Sequence, residues 1–150
     1  MTERPAELEP TPANQALFEH LEDLPPRPDG KPRDPYWEMG SHPDCVEWVW
    51  DRLGAALPAE CRRLLKGRAV LCHPASGRVL AMPYGTAYIL WLAQWARAEA
   101  AEAGYVANME WSARTRTDLT TALGDDGWVF GKWNQGRETA WLRWSYSELG

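Results

Sequence analysis

Residues 68–83 read RAVLCHPASGRVLAMP, two short apolar runs on either side of Pro74-Ala75-Ser76-Gly77. Proline, serine and glycine are turn formers, and a four-residue connection between short apolar runs is typical of a β-hairpin. The hairpin is the clearest local unit in the chain. It predicts an antiparallel sheet at the centre of the fold.

The pattern changes immediately after this hairpin. Residues 86–92 are β-branched and aromatic, which predicts a third strand. Residues 94–103 are rich in alanine and predict a helix that packs closely through its small residues, Ala96, Ala100 and Ala103. One continuous helix beginning at Thr86 is the alternative.

The C-terminal third has weaker signals. Asp118 is expected to cap a short helix that ends at Gly124. Residues 128–133, WVFGKW, are expected to form a strand with Trp128 and Phe130 on one face and Trp133 on the other. Residues 137–149 fit a helix that covers the sheet, or else an edge strand. The side chains expected to cover the sheet are Trp141, Leu142, Trp144, Tyr146 and Leu149.

A helix is predicted to begin at Ser41-His42-Pro43, because proline is favoured in the first helical position. Its apolar residues recur at helical spacing and predict a buried stripe: Val46, Val49, Trp50, Leu53 and Leu57. Trp48 points roughly opposite this stripe. Its indole is therefore expected to be exposed, covered by the N-terminal segment, or pressed against another chain. Residues 58–67, PAECRRLLKG, predict a further short helix capped by Gly67.

Residues 1–42 differ in character from residues 43–150. The first 43 residues carry four basic and nine acidic side chains and so account for the whole net charge of −5. Thr11-Pro12 is expected to start one short helix, which Pro25-Pro26 ends. We interpret residues 1–42 as an acidic, proline-rich arm lying across a single globular domain of residues 43–150. The predicted fold class is α+β, a small antiparallel sheet of three or four strands packed against helices.

The spacing and composition of the sequence exclude several classes of protein and of site. No apolar run is long enough for a membrane-spanning helix, and no secretory signal is expected at the N-terminus. An odd number of cysteines without tight spacing indicates reduced thiols and a cytoplasmic location. Neither a metal nor a cofactor is expected, because the cysteines and histidines lack ligand spacing: Cys45, Cys61, Cys72, His42 and His73. No arrangement of residues predicts a catalytic site.

A basic cluster is predicted at the end of the short helix that follows Pro58. It consists of Arg62, Arg63, Lys66 and Arg68. Basic clusters near indoles can bind single-stranded nucleic acid. The acidic balance of the chain makes that function the weaker alternative, because such proteins depend on a basic field. The acidic arm is instead expected to fold over this cluster as a clasp or a lid, and a solvated tail is the alternative.

Ten tryptophans in 150 residues are more indole than a fold of this size requires. Tryptophan serves packing or contact, and it is enriched where proteins bind each other. The sequence therefore predicts a non-catalytic binding module, of inhibitor, immunity or accessory-subunit type. Its partner is expected to be another protein, such as a basic one, or a second copy of the chain. A small enzyme or ligand sensor is the alternative. Candidate contact residues are Tyr36, Trp37, Trp48 and Trp111.

High arginine and alanine usage is typical of proteins from GC-rich bacterial genomes. A bacterial or phage origin is expected on that basis.

Overall fold

The protein, seen in a computed structural model, is built around a five-stranded antiparallel sheet. The structure describes residues 5–112 and 115–149, without the side chains of residues 111–116. The strands of this sheet, in their order across it, are β1 (Arg62–Leu65), β2 (Arg68–Cys72), β3 (Val79–Tyr84), β4 (Ala87–Trp91) and β7 (Trp128–Phe130). A separate two-stranded sheet contains β5 (Asn108–Ser112) and β6 (Thr115–Asp118).

The prediction of an α+β fold is confirmed, and the predicted number of strands is wrong. The missed strand is β1, which pairs with β2 in the register Leu65↔Arg68. The two residues between these strands, Lys66 and Gly67, have φ of 50° and 82°. Two successive positive φ values form the tight hairpin turn that matches strand twist. Gly67 therefore turns a hairpin and does not cap a helix. The basic cluster lies on this hairpin, since only residues 59–61 before it are helical.

Five α-helices complete the described part of the chain. They are α1 (Gln15–His20), α2 (Pro43–Glu47), α3 (Gln94–Glu102), α4 (Leu119–Leu123) and α5 (Gln135–Leu149). α2 continues as a π-helical turn, Trp48–Leu53, and a 3₁₀ turn, Gly54–Ala56. The Asp118 cap is confirmed, because its side chain accepts from the Thr121 N–H. α1 is shorter than expected, and the strand predicted for residues 128–133 ends at Phe130.

The central sheet is covered on both faces. Ala69 and Leu71 of β2 face one core, which contains the buried stripe of α2 and its π-helical extension together with α3 and α5. Val70 and Cys72 alternate to the other core, where α1 and α4 pack. Strands that are apolar at successive positions need such cover on both sides. The predicted stripe of Val46, Val49, Trp50, Leu53 and Leu57 is buried.

The N-terminal segment contacts the sheet directly. The Leu8 N–H donates to the Leu64 carbonyl at 2.7 Å, and the Leu64 N–H donates to the Ala6 carbonyl at 2.9 Å. Leu17 of α1 is buried in the second core. α1 therefore packs against the β1–β2 hairpin.

All three cysteines are free and buried. Burial raises the pKa of the Cys61 and Cys72 thiols to about 11. No described helix combines the length and the apolar character needed to cross a membrane.

Candidate partner-binding surface

The tryptophans divide into buried and exposed groups. Trp50, Trp128 and Trp141 are buried in the two cores, whereas Trp48 and Trp91 are partly buried. Four further indoles reach solvent: Trp37, Trp95, Trp133 and Trp144. Trp111 lies on β5, but its side chain is outside the described residues. The described part of the fold therefore leaves several large aromatic side chains outside its cores.

Trp37 is the most exposed of these indoles, with 74% of its surface accessible. Its neighbour Tyr36 holds the turn in place. The Tyr36 N–H donates to Asp34, and its hydroxyl donates to both carboxylate oxygens of Asp51 at 3.0 and 3.2 Å. The Tyr36 ring packs edge-on against Trp50, with ring centres 5.6 Å apart. Burial and the Asp51 carboxylate raise the pKa of Tyr36 to about 12.

An open depression of about 370 Å³ lies beside Trp37. We name this depression and its rim the Trp37 surface, and it is lined by Tyr36, Trp37, Pro43, Asp44, Glu47 and Asp51. Two cations lie beside these carboxylates. Arg62 is 3.6 Å from Asp51, and Arg52 is 3.6 Å from Glu47. The side chain of Asp44 is 79% exposed. An exposed indole beside carboxylates can accept a cationic side chain by ion pairing and by cation–π contact.

Trp48 occupies a different position from Trp37. Its indole N–H donates to the carboxylate of Glu138 at 3.2 Å, and its ring contacts Trp133 and Tyr88. α5 and the residues before it cover this side of the helix and leave Trp48 partly buried. Trp48 therefore packs inside the fold, against residues that are distant from it in the sequence.

Glu138 is fully buried and accepts four hydrogen bonds. Tyr88, Tyr105 and the indole of Trp48 donate to it from their side chains, and Lys132 donates from its backbone N–H at 2.9 Å. An ionised carboxylate is an acceptor only, so it suits a site with donors on every side. Burial, followed by the effects of the Glu138 carboxylate, raises the pKa of both Tyr88 and Tyr105. No local pattern in the sequence indicates that this glutamate is buried.

The predicted basic cluster is largely engaged within the fold. Lys66 Nζ donates to the carbonyls of Phe18 and Leu21 at 2.7 and 2.8 Å, and Arg68 donates to the Glu22 carbonyl at 2.8 Å. These carbonyls belong to the C-terminal end of α1 and the residues after it, where helix geometry leaves acceptors free. Burial lowers the pKa of Arg68. Arg62 faces Asp51, and Arg63 donates to the Glu60 carbonyl.

Trp95 and Trp144 form an exposed pair that was not among the predicted contact residues. Their ring centres are 4.3 Å apart, and they join the N-terminal end of α3 to the C-terminal half of α5. Trp144 was expected to cover the sheet, and that prediction is wrong. The face of α5 that packs inward holds Glu138, Trp141, Leu142 and Ser145. Helical spacing from these residues leaves Trp144 at the edge of the buried face.

Within the described residues, no three histidine, cysteine, aspartate or glutamate side chains form a group able to hold a metal ion. Comparison with protein-family models, curated proteins and solved structures finds no match to this chain.

Proposed function

We propose that this protein is a non-catalytic binding module that recognises a basic protein through the Trp37 surface. It would act as an inhibitor, an immunity-type protein or an accessory subunit in a bacterial or phage system. The observation that carries the proposal is the outward position of Trp37 beside Asp44, Glu47 and Asp51. Buried and reduced thiols fit a cytoplasmic site of action.

Trp37 has the properties of a binding hot spot. Tryptophan is among the residues that most often dominate binding energy when a partner covers them. Tyr36 fixes the adjoining backbone through Asp51 and Trp50. A contact residue on a preorganised backbone loses less conformational entropy on binding.

The carboxylates around Trp37 set the charge of the preferred partner. Asp44 and Glu47 are exposed, and the net charge of the whole chain is −5. An acidic surface accelerates encounter with a basic protein and selects against acidic ones. A lysine or arginine of the partner can then pair with Asp44 or Glu47 while it stacks on the indole.

Nucleic-acid binding has less support from the contacts. Lys66 and Arg68 direct their side chains to carbonyls of residues 18–22 rather than to open solvent. Phosphate binding at these two residues would have to displace the end of α1.

The test is affinity purification from the native host with four immobilised proteins at low and high salt. They are the unmodified chain, Trp37→Ala, the double variant Asp44→Lys/Glu47→Lys, and Trp144→Ala as the matched control on another face. We expect one basic protein to be retained by the unmodified chain and by Trp144→Ala. Both changes in the Trp37 surface should abolish retention, and salt should weaken it because the contact is electrostatic.

The proposal is overturned if the retained protein is acidic, or if Trp37→Ala and the double variant retain it as well as the unmodified chain does. Absence of any retained protein in the native host also contradicts it. Circular dichroism of each variant shows that the fold is preserved, as expected for exposed positions.

A further inference from the structure

Helices α3 and α5 lie side by side in opposite directions. Trp95, at the start of α3, contacts Trp144 near the end of α5. One turn further along α3, Glu99 accepts a hydrogen bond from the Trp141 indole at 3.1 Å. Contacts therefore move backward along α5 as they move forward along α3. Glu102, Ala103, Gly136 and Arg137 line the other end of the same pair.

An open groove of about 520 Å³ runs between these two helices. Its floor is made of small residues, Ala103, Gly136 and Ala140, with the edge of Trp141. The Trp95–Trp144 pair lies at one end of it, and Trp95 is 61% exposed. Small residues let another helix approach closely, and an exposed indole pair is an apolar patch of the kind that marks interfaces. We name this surface the α3–α5 face.

The charges on the α3–α5 face are divided between the helices. α3 presents the acidic Glu99 and Glu102, whereas α5 presents the basic Arg137, and Arg143 of α5 lies outside the groove lining. Glu99 is occupied by Trp141, and Arg143 donates to the Ala56 carbonyl. Among the described residues, the side chains of Glu102 and Arg137 form no ion pair with each other or with a third residue. Glu102 and Arg137 are therefore available for contact at the same height along the two helices.

We propose that the α3–α5 face binds a second copy of this chain, with a twofold axis parallel to the helices and midway between them. Rotation about this axis exchanges the helices, so α3 of the second copy lies over α5 of the first. The rotation does not shift any residue along the axis, so each residue keeps its height along the helices. Trp95 then meets Trp144 of the second copy, and Glu102 meets Arg137 of the second copy. Each contact occurs twice, as in every isologous interface.

Charge complementarity favours a second copy over an unrelated protein. A basic partner would meet Arg137, and an acidic partner would meet Glu99 and Glu102. A second copy in this orientation places opposite charges together on both helices. The α3–α5 face shares no lining residue with the Trp37 surface. A dimer formed here therefore leaves the proposed binding surface open in both copies.

The first experiment is sedimentation velocity of the unmodified chain over a range of concentrations, together with hydrogen exchange at low and high concentration. We expect a monomer–dimer equilibrium, with amides of α3 and α5 protected further in the dimer. Trp95→Ala and Trp144→Ala should each weaken dimerisation. Trp37→Ala is the matched control, because it removes an exposed indole from another face, and it should leave dimerisation unchanged.

The second experiment exchanges the charges. Glu102→Arg alone and Arg137→Glu alone each place like charges opposite one another twice, so each should weaken dimerisation about tenfold or more. The double variant Glu102→Arg/Arg137→Glu recreates the pair with its signs reversed and should restore the dimer. Glu148→Arg, an exposed charge change near the end of α5, is the control for net charge.

A chain that stays monomeric at every concentration overturns the proposal, and so does a dimer whose protection maps elsewhere. Failure of the double variant to recover dimerisation also overturns it. Binding of an unrelated protein to this face, while the chain itself stays a monomer, overturns the proposal too. These outcomes are independent of the proposed function, because retention of the basic partner depends on Trp37 and dimerisation does not.

Discussion

Tyr88 donates a hydrogen bond from its hydroxyl to the carboxylate of Glu138, which lies 50 residues later in the chain. The same hydroxyl accepts from the Trp133 N–H at 2.6 Å. Trp133 has a φ of 59°, a left-handed conformation that is uncommon for a large side chain. The hydrogen bond holds Trp133, two residues before α5, in that conformation. The Tyr88–Glu138 contact thus fixes α5 on the sheet and orients the helix that carries Trp144.

We predict that Glu138→Gln lowers the free energy of unfolding by roughly 2–4 kcal/mol, because the amide turns one acceptor into a donor among four donors. At least one buried donor would then lack an acceptor. Urea denaturation measures the change. Glu148→Gln, an exposed glutamate of the same helix, is the control and should change stability by less than about 0.5 kcal/mol. Equal effects of the two substitutions would show that the buried carboxylate does not organise this region.

We predict a loss of stability at alkaline pH. The pKa of Tyr36 is raised to about 12, and the pKa values of Tyr88 and Tyr105 are raised as well. A tyrosine in the unfolded chain has a pKa near 10. Because the folded values lie higher, the contribution of these groups is complete below about pH 10 and declines as the pH rises toward the folded values.

Thermal unfolding between about pH 9 and about pH 11.5 measures this decline. Tyr88→Phe should be less stable near neutral pH, since Glu138 and the Trp133 N–H lose a partner. It should also lose less stability as the pH rises, because one raised phenol is absent. If the stability of Tyr88→Phe falls as steeply with rising pH as that of the unmodified chain, ionisation of Tyr88 does not contribute to the decline.

We predict that Gly131→Ala is strongly destabilising. A Cβ at this position would overlap Cε2 and Cζ of the Tyr88 ring. The ring cannot move away without breaking its bonds to Glu138 and Trp133. We expect a loss of about 3 kcal/mol or more, as for overpacked cores.

Gly136→Ala is the matched control, because its Cβ would meet nothing closer than 4.0 Å. This glycine lies in the first turn of α5, where alanine favours the helix. Differential scanning calorimetry should therefore show a lower melting temperature for Gly131→Ala and an equal or higher one for Gly136→Ala. Equal melting temperatures would mean that the Tyr88 ring is not held in place.

We predict that Lys66→Met loosens α1. The methionine keeps the apolar stem and loses the bonds to the Phe18 and Leu21 carbonyls. The expected loss is about 1–2 kcal/mol, and hydrogen exchange in α1 should accelerate more than in the sheet. Lys31→Met removes an exposed lysine in the same half of the chain and is the control. Unchanged exchange in α1 would show that these bonds do not hold the helix.

The central hairpin, β4, the Asp118 cap and α5 could be predicted because their signals are local. Turn residues, alternation and helical spacing act within a few positions. β1 could not be separated from a helix end in this way. Gly67 can serve a helix C-terminus or a tight hairpin turn, since both need a positive φ. Pairing with β2 selects the hairpin, and a strand partner is a property of the sheet.

The sequence by itself determined the α+β class, the buried stripe of α2 and its π-helical extension, and a surplus of indole over what the cores accommodate. Tertiary structure decided which indoles remain outside. α5 covers part of Trp48 and turns Trp144 toward solvent. Glu138 is buried for the same reason. Its four donors come from separate segments, and only the folded chain brings them within hydrogen-bond distance, so that a charge can leave water.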